Sequence, residues 1–249
     1  MSAGLGPAAR DETVRQARRR RGTPWSLECR RPGLLDFVLA GLRQLYGTPA
    51  WERRADPTEE LVVTILAQHT SDLNAERAFA ELRRRLPTWS DVERAPVEEI
   101  ERAIVSGGLA RQKAPRIQAA LRTIRAERGD HSLEFLGDLP PLQARDWLTR
   151  IPGVGKKTAS VVLLFGFGMP LMPVDTHVHR VTRRIGLVPA RATPDEAHER
   201  LMADIPSALI HEAHVNLITH GRRTCFARRP ACERCPIRPR CRHVAPRAP

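Results

Sequence analysis

The chain has 249 residues, of which 41% are hydrophobic and 28% are charged. This composition excludes disorder of the whole chain and is sufficient for one or two compact domains with a hydrophobic core. The 41 Lys and Arg outnumber the 28 Asp and Glu, which gives a formal net charge of +13 and indicates a polyanionic partner.

The excess positive charge lies at the two ends of the sequence. Residues 1–31 carry eight Arg against three acids, and residues 222–249 carry nine Arg against one acid. The residues between them hold 24 basic and 24 acidic side chains, so this middle part is neutral. Because residues 1–31 lack a sustained apolar periodicity, we predict a flexible basic arm there. Its Asp and Glu and its low Ser content argue against an organelle transit peptide.

From Leu34 onward the apolar residues recur at helical spacing. Gly47 stops the first helix, and Pro57 with two acids behind it opens the next. No clean alternating run of β-branched residues is found, and no repeat of 20 to 50 residues, so we predict an all-α fold. Further amphipathic stretches are predicted at about 73–86, 96–106, 111–127, 141–150, 174–186, 194–204 and 207–221.

The hydropathy of the sequence indicates the cellular location of the protein. No apolar run reaches the about 18 residues that a membrane helix needs, and no apolar signal core is found near the N-terminus. We therefore expect a cytoplasmic protein.

The most informative segment is 151–166, which reads IPGVGKKTASVVLLFG. Both flanking stretches have helical spacing, so a tight turn joins two helices, and its glycines let a ligand approach the backbone. Free amides at the start of the second helix suit a phosphate. An ordinary helix connection is the plainer interpretation, but the order Pro-Gly-Val-Gly-Lys-Lys-Thr-Ala favours a helix-hairpin-helix grip on DNA. The predicted contacts are Gly153, Val154, Gly155 and Lys156.

Lys157 lies in the first turn of the second hairpin helix, beside Lys156. The helix dipole and the neighbouring cation both disfavour its ammonium form, and a lowered pKa is what an amine nucleophile requires. On these physical grounds alone, a lysine that contacts phosphate remains the simpler interpretation.

Asp175 follows 18 residues later in the sequence VDTHVH. It lies where a helix begins, so it can serve as an N-cap or as a carboxylate that faces Lys157 and takes its proton or stabilises charge on a sugar. His177 and His179 invite a metal site with Asp175. We do not favour one, because residues two apart on a helix point to different sides.

Four of the five cysteines lie within seventeen residues, with the spacing C-x6-C-x2-C-x5-C. Four thiolates suit zinc or a four-iron cluster, and the compressed spacing with a single CxxC favours iron-sulfur. Arg228 and Arg229, between the first two cysteines, can then face phosphate. Cys29 is expected to be a free thiol. The predicted ligands are Cys225, Cys232, Cys235 and Cys241.

From about Leu34 to Cys241 the sequence resembles the endonuclease III family of DNA glycosylases. The resemblance rests on IPGVGKKTA, PVDTHVHRV, THGRRTC and the four-cysteine spacing, all in the family's order. It implies the helix-hairpin-helix glycosylase fold, with a six-helix barrel domain at 57–170. It also implies a [4Fe-4S] cluster domain made by 32–56 together with 171–245, and a DNA cleft between the two.

The resemblance further implies base excision repair with Lys157 as nucleophile and Asp175 as catalytic carboxylate. The damaged base is flipped out, Lys157 attacks C1′ of its sugar, and the Schiff base permits β-elimination of the 3′ phosphate. Gln68 matches the residue that fills the gap left by the base, and Leu109 is a second wedge. The sequence departs from the family after Leu109, where Ala110 and Arg111 replace an aromatic and a small polar residue.

The implied partner is double-stranded DNA that contains oxidised pyrimidines, other damaged bases or abasic sites. We expect the protein to bind it as a monomer and, as a bacterial-type enzyme, to associate with the nucleoid through this DNA. A monofunctional glycosylase of the same superfamily is one alternative, against which Lys157 and the absence of a further C-terminal domain argue. A non-catalytic DNA-binding protein is the other.

Overall fold

The computed structural model describes residues 26–244. No residue in this range forms a β-strand, which confirms the all-α fold class, and none of its helices is long and apolar enough to cross a membrane. The helices are α1 (Leu27–Arg30), α2 (Leu34–Tyr46), α3 (Pro57–Leu66), α4 (Asp72–Arg85), α5 (Trp89–Arg94), α6 (Val97–Ala103), α7 (Ala110–Arg128), α8 (Pro141–Leu148), α9 (Lys156–Phe167), α10 (Thr176–Ile185), α11 (Pro194–Asp204) and α12 (Ile210–Arg223).

Local capping sets the ends of the long helices where the sequence predicts them. Asp56 accepts from the Thr58 amide at 2.9 Å to start α3, and Gly47 follows the last residue of α2. The short helix α5 was not predicted, because its six residues are too few for a periodicity. It is fixed by a capping box between Thr88 and Asp91.

A first apolar cluster, the barrel cluster, is built by α3 to α9. Helices α3 and α9 pack closely because Gly166 faces Pro57, where a Cβ on the glycine would lie 3.7 Å from the proline ring. Fully buried members from α3, α7 and α9 include Leu61, Ile65, Ile117, Leu121, Val162 and Leu163.

A second apolar cluster, the tail cluster, joins the start of the described chain to its end. Helix α2 packs on α12, and α12 packs on α10. A Cβ on Gly41 of α2 would come within 2.9 Å of Ile237, so glycine permits this close approach. Buried members include Leu34, Val38, Leu42, Val178, Leu217 and Ile237.

Two arginines tie the N-terminal segment to the C-terminal tail. Arg31 donates to the carbonyls of Ile185 at 2.7 Å and Arg240 at 2.6 Å, and Arg240 donates in turn to the Gly33 carbonyl at 2.8 Å. Each side chain thus satisfies backbone carbonyls on the opposite segment, which fixes the position of α1 and α2.

This contact corrects the expected arm at its C-terminal end. The arm was predicted to run through residue 31, but α1 is helical and Leu27 is buried in the tail cluster. A single apolar residue gives no periodicity, so the sequence alone did not reveal it. Residues 1–25 lie outside the described residues, as does the side chain of Cys29 that was expected to be a free thiol.

Replacing Leu42 by Ala tests whether α2 is an integral part of the tail cluster. Leu42 is fully buried, whereas Leu45 on the same helix is 45% exposed. We expect Leu42→Ala to lower the free energy of unfolding by about 2–5 kcal/mol in urea titrations. Leu45→Ala should change it by no more than about 0.5 kcal/mol. Equal effects of the two variants would show that α2 is not packed as described.

Candidate DNA interface and catalytic pair

The predicted hairpin is formed by α8, the turn at 149–155 and α9. Gly153 has a φ of +84°, a left-handed value that favours glycine, and a Cβ there would meet Arg116 at 3.1 Å. Val154 is buried, and its amide donates to the Ile151 carbonyl at 3.0 Å. The turn is therefore held by Val154 from inside while both of its glycines stay exposed.

The N-terminus of α9 has the properties of an anion-binding site. Gly155 precedes the helix and no side chain caps it, in contrast to α10, which Asp175 caps. Uncapped amides and the positive end of the helix dipole suit a phosphate. Lys156, also in this turn, donates to Glu199 at 3.0 Å. A phosphate that binds here would therefore compete with the Glu199 carboxylate for the Lys156 ammonium.

Lys157 lies near the ion pair between Asp72 of α4 and Arg222 of α12, which joins the barrel side of the molecule to the tail side, and this junction is here termed the cleft. The chain contains only three lysines, Lys113, Lys156 and Lys157. Lys157 is open to solvent, but protein surrounds it on most sides. This desolvation lowers its pKa below the ordinary lysine value, against the opposing effects of the Asp175 and Asp72 carboxylates. A larger share of this amine is therefore neutral than for a lysine on an open surface.

Asp175 is placed where the second half of the chain enters the cleft. Its Oδ1 accepts from the Val178 amide at 2.7 Å as the N-cap of α10. The same carboxylate acts electrostatically on Lys157. One oxygen fixed by a cap leaves the other able to face an amine or a sugar. The structure thus brings the two predicted catalytic residues into one cleft.

His214 lies behind this pair and was missed by the sequence analysis. It is buried in α12, and its Nδ1 is 3.1 Å from the carbonyl of Pro173, two residues before Asp175. Burial, partly opposed by Asp175, lowers the pKa of His214, which favours the neutral ring. Its position supports the segment that carries Asp175. No motif marks a histidine that acts from another helix.

Gln68 and Leu109 lie on neighbouring loops near the hairpin. Gln68 Nε2 is 3.5 Å from the Gly153 carbonyl and 3.4 Å from the Thr158 hydroxyl. Leu109 is 47% exposed and has a φ of +51°, and both residues line one open cavity. Two predicted wedge residues, separated by 41 positions in the sequence, therefore project beside each other.

The two histidines after Asp175 have other partners. His179 Nε2 lies 2.8 Å from the Ala192 carbonyl, and His177 Nδ1 lies 3.1 Å from Arg180. Within residues 26–244, no three side chains of His, Cys, Asp or Glu converge as they would around a single metal ion.

The four predicted cysteine ligands line one small cavity, together with residues of α10 and α12. His220 contributes to its wall, and its Nε2 lies 3.6 Å from the Cys235 sulfur. Four soft sulfur donors around one cavity are a donor set that suits either zinc or an iron-sulfur cluster.

The arginines of the tail divide into two groups. Arg234 donates to the Arg223 carbonyl at 2.8 Å, and Arg240 belongs to the contact with α1 and α2. Arg228 and Arg229 are exposed, and no ion pair or hydrogen bond joins either to another part of the chain that the structure describes. Their loop is held by Arg184, which donates to the Phe226 and Ala227 carbonyls. These two are available for an external anion.

Comparison with known proteins connects this geometry to a family. Residues 62–207 match the profile of the HhH-GPD superfamily of base excision DNA repair proteins. An endonuclease III of Thermotoga maritima is 35% identical over 193 residues, which cover 78% of this chain and 86% of the relative. That of Escherichia coli K12 is 33% identical over 207 residues, covering 83% and 93%.

A solved structure is similar over the same range. A trapped covalent intermediate of an endonuclease III with DNA superimposes with a TM-score of 0.74 at 31% identity, covering 84% of this chain and 95% of that chain.

The ion pair of Lys156 with Glu199 leads to a test of the hairpin. Glu199→Gln removes the carboxylate that competes with phosphate for Lys156, so we expect duplex DNA affinity to rise about two- to fivefold at low salt, the range for one exposed ion pair. Glu81→Gln, which makes the same charge change beside Arg84 and Arg85 on α4, should give a smaller gain. Equal gains in a fluorescence anisotropy titration would attribute the effect to net charge alone.

Proposed function

Because this chain belongs to the HhH-GPD superfamily and is an endonuclease III-like base excision repair DNA glycosylase, we propose that it is bifunctional. It removes oxidised pyrimidines from duplex DNA and then cleaves the strand at the abasic site as a lyase. The observation that carries this proposal is the placement of Lys157, in a cleft that lowers its pKa, within electrostatic reach of Asp175.

The small number of lysines narrows the choice of nucleophile. A Schiff base needs a primary amine, which arginine does not provide. Lys113 is buried beneath the surface and bonded to two carbonyls, and Lys156 is paired with Glu199. Among the lysine side chains, Lys157 alone combines solvent access with the cleft.

The proposed reaction starts with the neutral amine of Lys157. The electron pair of the amine forms a bond to C1′ of the sugar while the bond from C1′ to the base breaks. The base leaves with the two electrons of the broken bond and takes up a proton. Asp175 stabilises positive charge on the sugar and accepts the proton that the attacking nitrogen loses. Opening of the sugar ring gives an imine, and loss of a C2′ proton then expels the 3′ phosphate.

The remaining predicted contacts hold DNA against this pair. The uncapped turn of Gly153 to Lys156 binds backbone phosphate without reading sequence. Arg228 and Arg229 bind phosphate from the tail, on the other side of the cleft. Gln68 and Leu109 enter the duplex and replace the stacking of the flipped base. That a related endonuclease III was solved as a covalent DNA complex supports this assignment.

We also propose that Cys225, Cys232, Cys235 and Cys241 hold a [4Fe-4S] cluster, as their shared cavity supports. When bound, such a group cross-links the tail through four thiolates and provides an electron-transfer centre. With it, residues 32–56 and 171–245 form one domain and residues 57–170 the other. The two apolar clusters support this division.

Borohydride trapping on duplex DNA with thymine glycol or an abasic site tests the proposed function. Wild-type protein should form a covalent adduct, and Lys157→Ala should lose at least about 10²-fold of the trapping rate, the range for loss of a catalytic group. Lys156→Ala should trap at a nearly wild-type rate at saturating protein, because it removes only a phosphate contact. Trapping by Lys157→Ala at the wild-type rate would overturn the mechanism.

Asp175→Asn separates the N-cap from the catalytic carboxylate. Asn caps a helix as well as Asp does, so we expect the free energy of unfolding to change by less than about 1 kcal/mol. The Asp175 charge raises the pKa of Lys157. Its loss should therefore lower that pKa further and move the pH profile of abasic-site trapping to lower pH, while base release slows. An unchanged pH profile would show that Asp175 does not act on Lys157.

A further inference from the structure

Lys113 is a charged side chain that the mechanism above does not use. It lies in the first turns of α7 and is only 1% exposed, the largest of the fully buried side chains. Its ammonium donates to the Leu66 carbonyl at 2.6 Å and to the Gly107 carbonyl at 2.8 Å. No carboxylate pairs with it among the described residues, and burial lowers its pKa.

The two carbonyls belong to the residues from which two different loops start, here termed the roots of these loops. Leu66 is the last residue of α3, two positions before Gln68, and Gly107 ends a short helical turn two positions before Leu109. In a continuing helix the Leu66 carbonyl would accept from residue 70, but the Thr70 amide bonds to Ala67 at 3.4 Å. The Leu66 carbonyl is thereby left for Lys113.

Both loops leave their roots through unfavourable backbone. His69 has a φ of +56° and Leu109 a φ of +51°, and Arg229 is the only other non-glycine residue with positive φ in the described part of the chain. Left-handed backbone at such residues persists only when the surroundings enforce it. A buried ammonium bound to both roots is a device that enforces both conformations at once.

Stability alone does not require a charge at this place. Further along α7, the buried amide of Gln118 satisfies the carbonyls of Val92 and Ala95 at 3.1 and 2.7 Å without an ionised group. Burying an unpaired ammonium costs more than burying an amide. Charge-assisted hydrogen bonds are stronger than neutral ones. Such bonds from Lys113 are explained if they must keep the exposed wedge residues Gln68 and Leu109 in place while these enter a DNA duplex.

We propose that Lys113 is a positioning residue that couples the Gln68 loop to the Leu109 loop, so that both side chains enter the duplex together. The inference rests on the proposed function, because it gives these two residues the role of replacing the flipped base. Lys113 touches neither DNA nor the reacting atoms and acts through the two loop roots.

The experiment compares Lys113→Met with Gln118→Leu, two changes on one helix that each remove a buried side chain bonded to carbonyls. Base unstacking is followed by the fluorescence of 2-aminopurine placed next to a thymine glycol, and base excision by single-turnover cleavage. We expect Lys113→Met to reduce the unstacking signal and to slow base excision about 10- to 100-fold, as for a displaced positioning group. Gln118→Leu should leave both unchanged, even if it lowers the melting temperature by as much.

Coupling is tested by adding each change to Gln68→Ala and Leu109→Ala together. If Lys113 acts through the wedges, Lys113→Met should have little further effect on excision once both are gone. Cleavage of a preformed abasic site in single-stranded DNA, which needs no flipping, should be nearly normal in Lys113→Met.

Two results separate the possible failures. Equal excision and unstacking by Lys113→Met and wild type, or additive effects in the multiple variant, would overturn the inference. If the wild-type protein itself neither excises nor traps, the proposed function fails instead. The unstacking measurement on the same duplex still tests whether Lys113 positions the loops, because it requires no chemistry.

Discussion

Helix α9 is the constraint on which the rest of the structure depends, because both apolar clusters share it. Its residues from Thr158 to Leu164 are all buried, and successive leucines belong to different clusters, Leu163 to the barrel cluster and Leu164 to the tail cluster. A helix that is apolar all round must be covered on all sides. The chain covers it by returning through α10 to α12, and the exposed N-terminal end of α9 is left at the mouth of the cleft.

This arrangement explains how ordinary local structure becomes a reactive site. The glycine turn before α9 leaves its amides uncapped, and Lys157 in the first turn is desolvated by the two bodies on either side. Asp175, which caps α10 at the start of the returning segment, meets it there. His214, from α12, supports the segment before Asp175. The Asp175 cap, the glycine turn and the desolvation of Lys157 are each common features of folded proteins. The packing of α9 is what brings the three together.

Local signals in the sequence were sufficient for the helices and for the motifs of the cleft. Gly47 predicted the end of α2, Pro57 and the acids behind it predicted the start of α3, and the Pro-Gly-Val-Gly turn predicted the hairpin. What sequence reasoning missed depends on long-range contacts, as with Leu27, which gains its partners only when α1 meets the tail. Lys113 and His214 are further examples, because their partners are backbone carbonyls that no motif encodes. The role of the terminal charges also depends on long-range contacts, because Arg31 and Arg240 bind backbone carbonyls of the protein itself, whereas Arg228 and Arg229 have no partner among the described residues.

Locating the covalent bond shows whether the amine of Lys157, at the start of α9, carries the reaction. A borohydride-reduced adduct with abasic DNA can be digested and sequenced by mass spectrometry, with fragment ions that separate Lys156 from Lys157. We expect a reduced sugar remnant on Lys157 alone, although a second lysine, Lys156, stands directly beside it in the sequence. A remnant on Lys156 or on the N-terminal amine would contradict it.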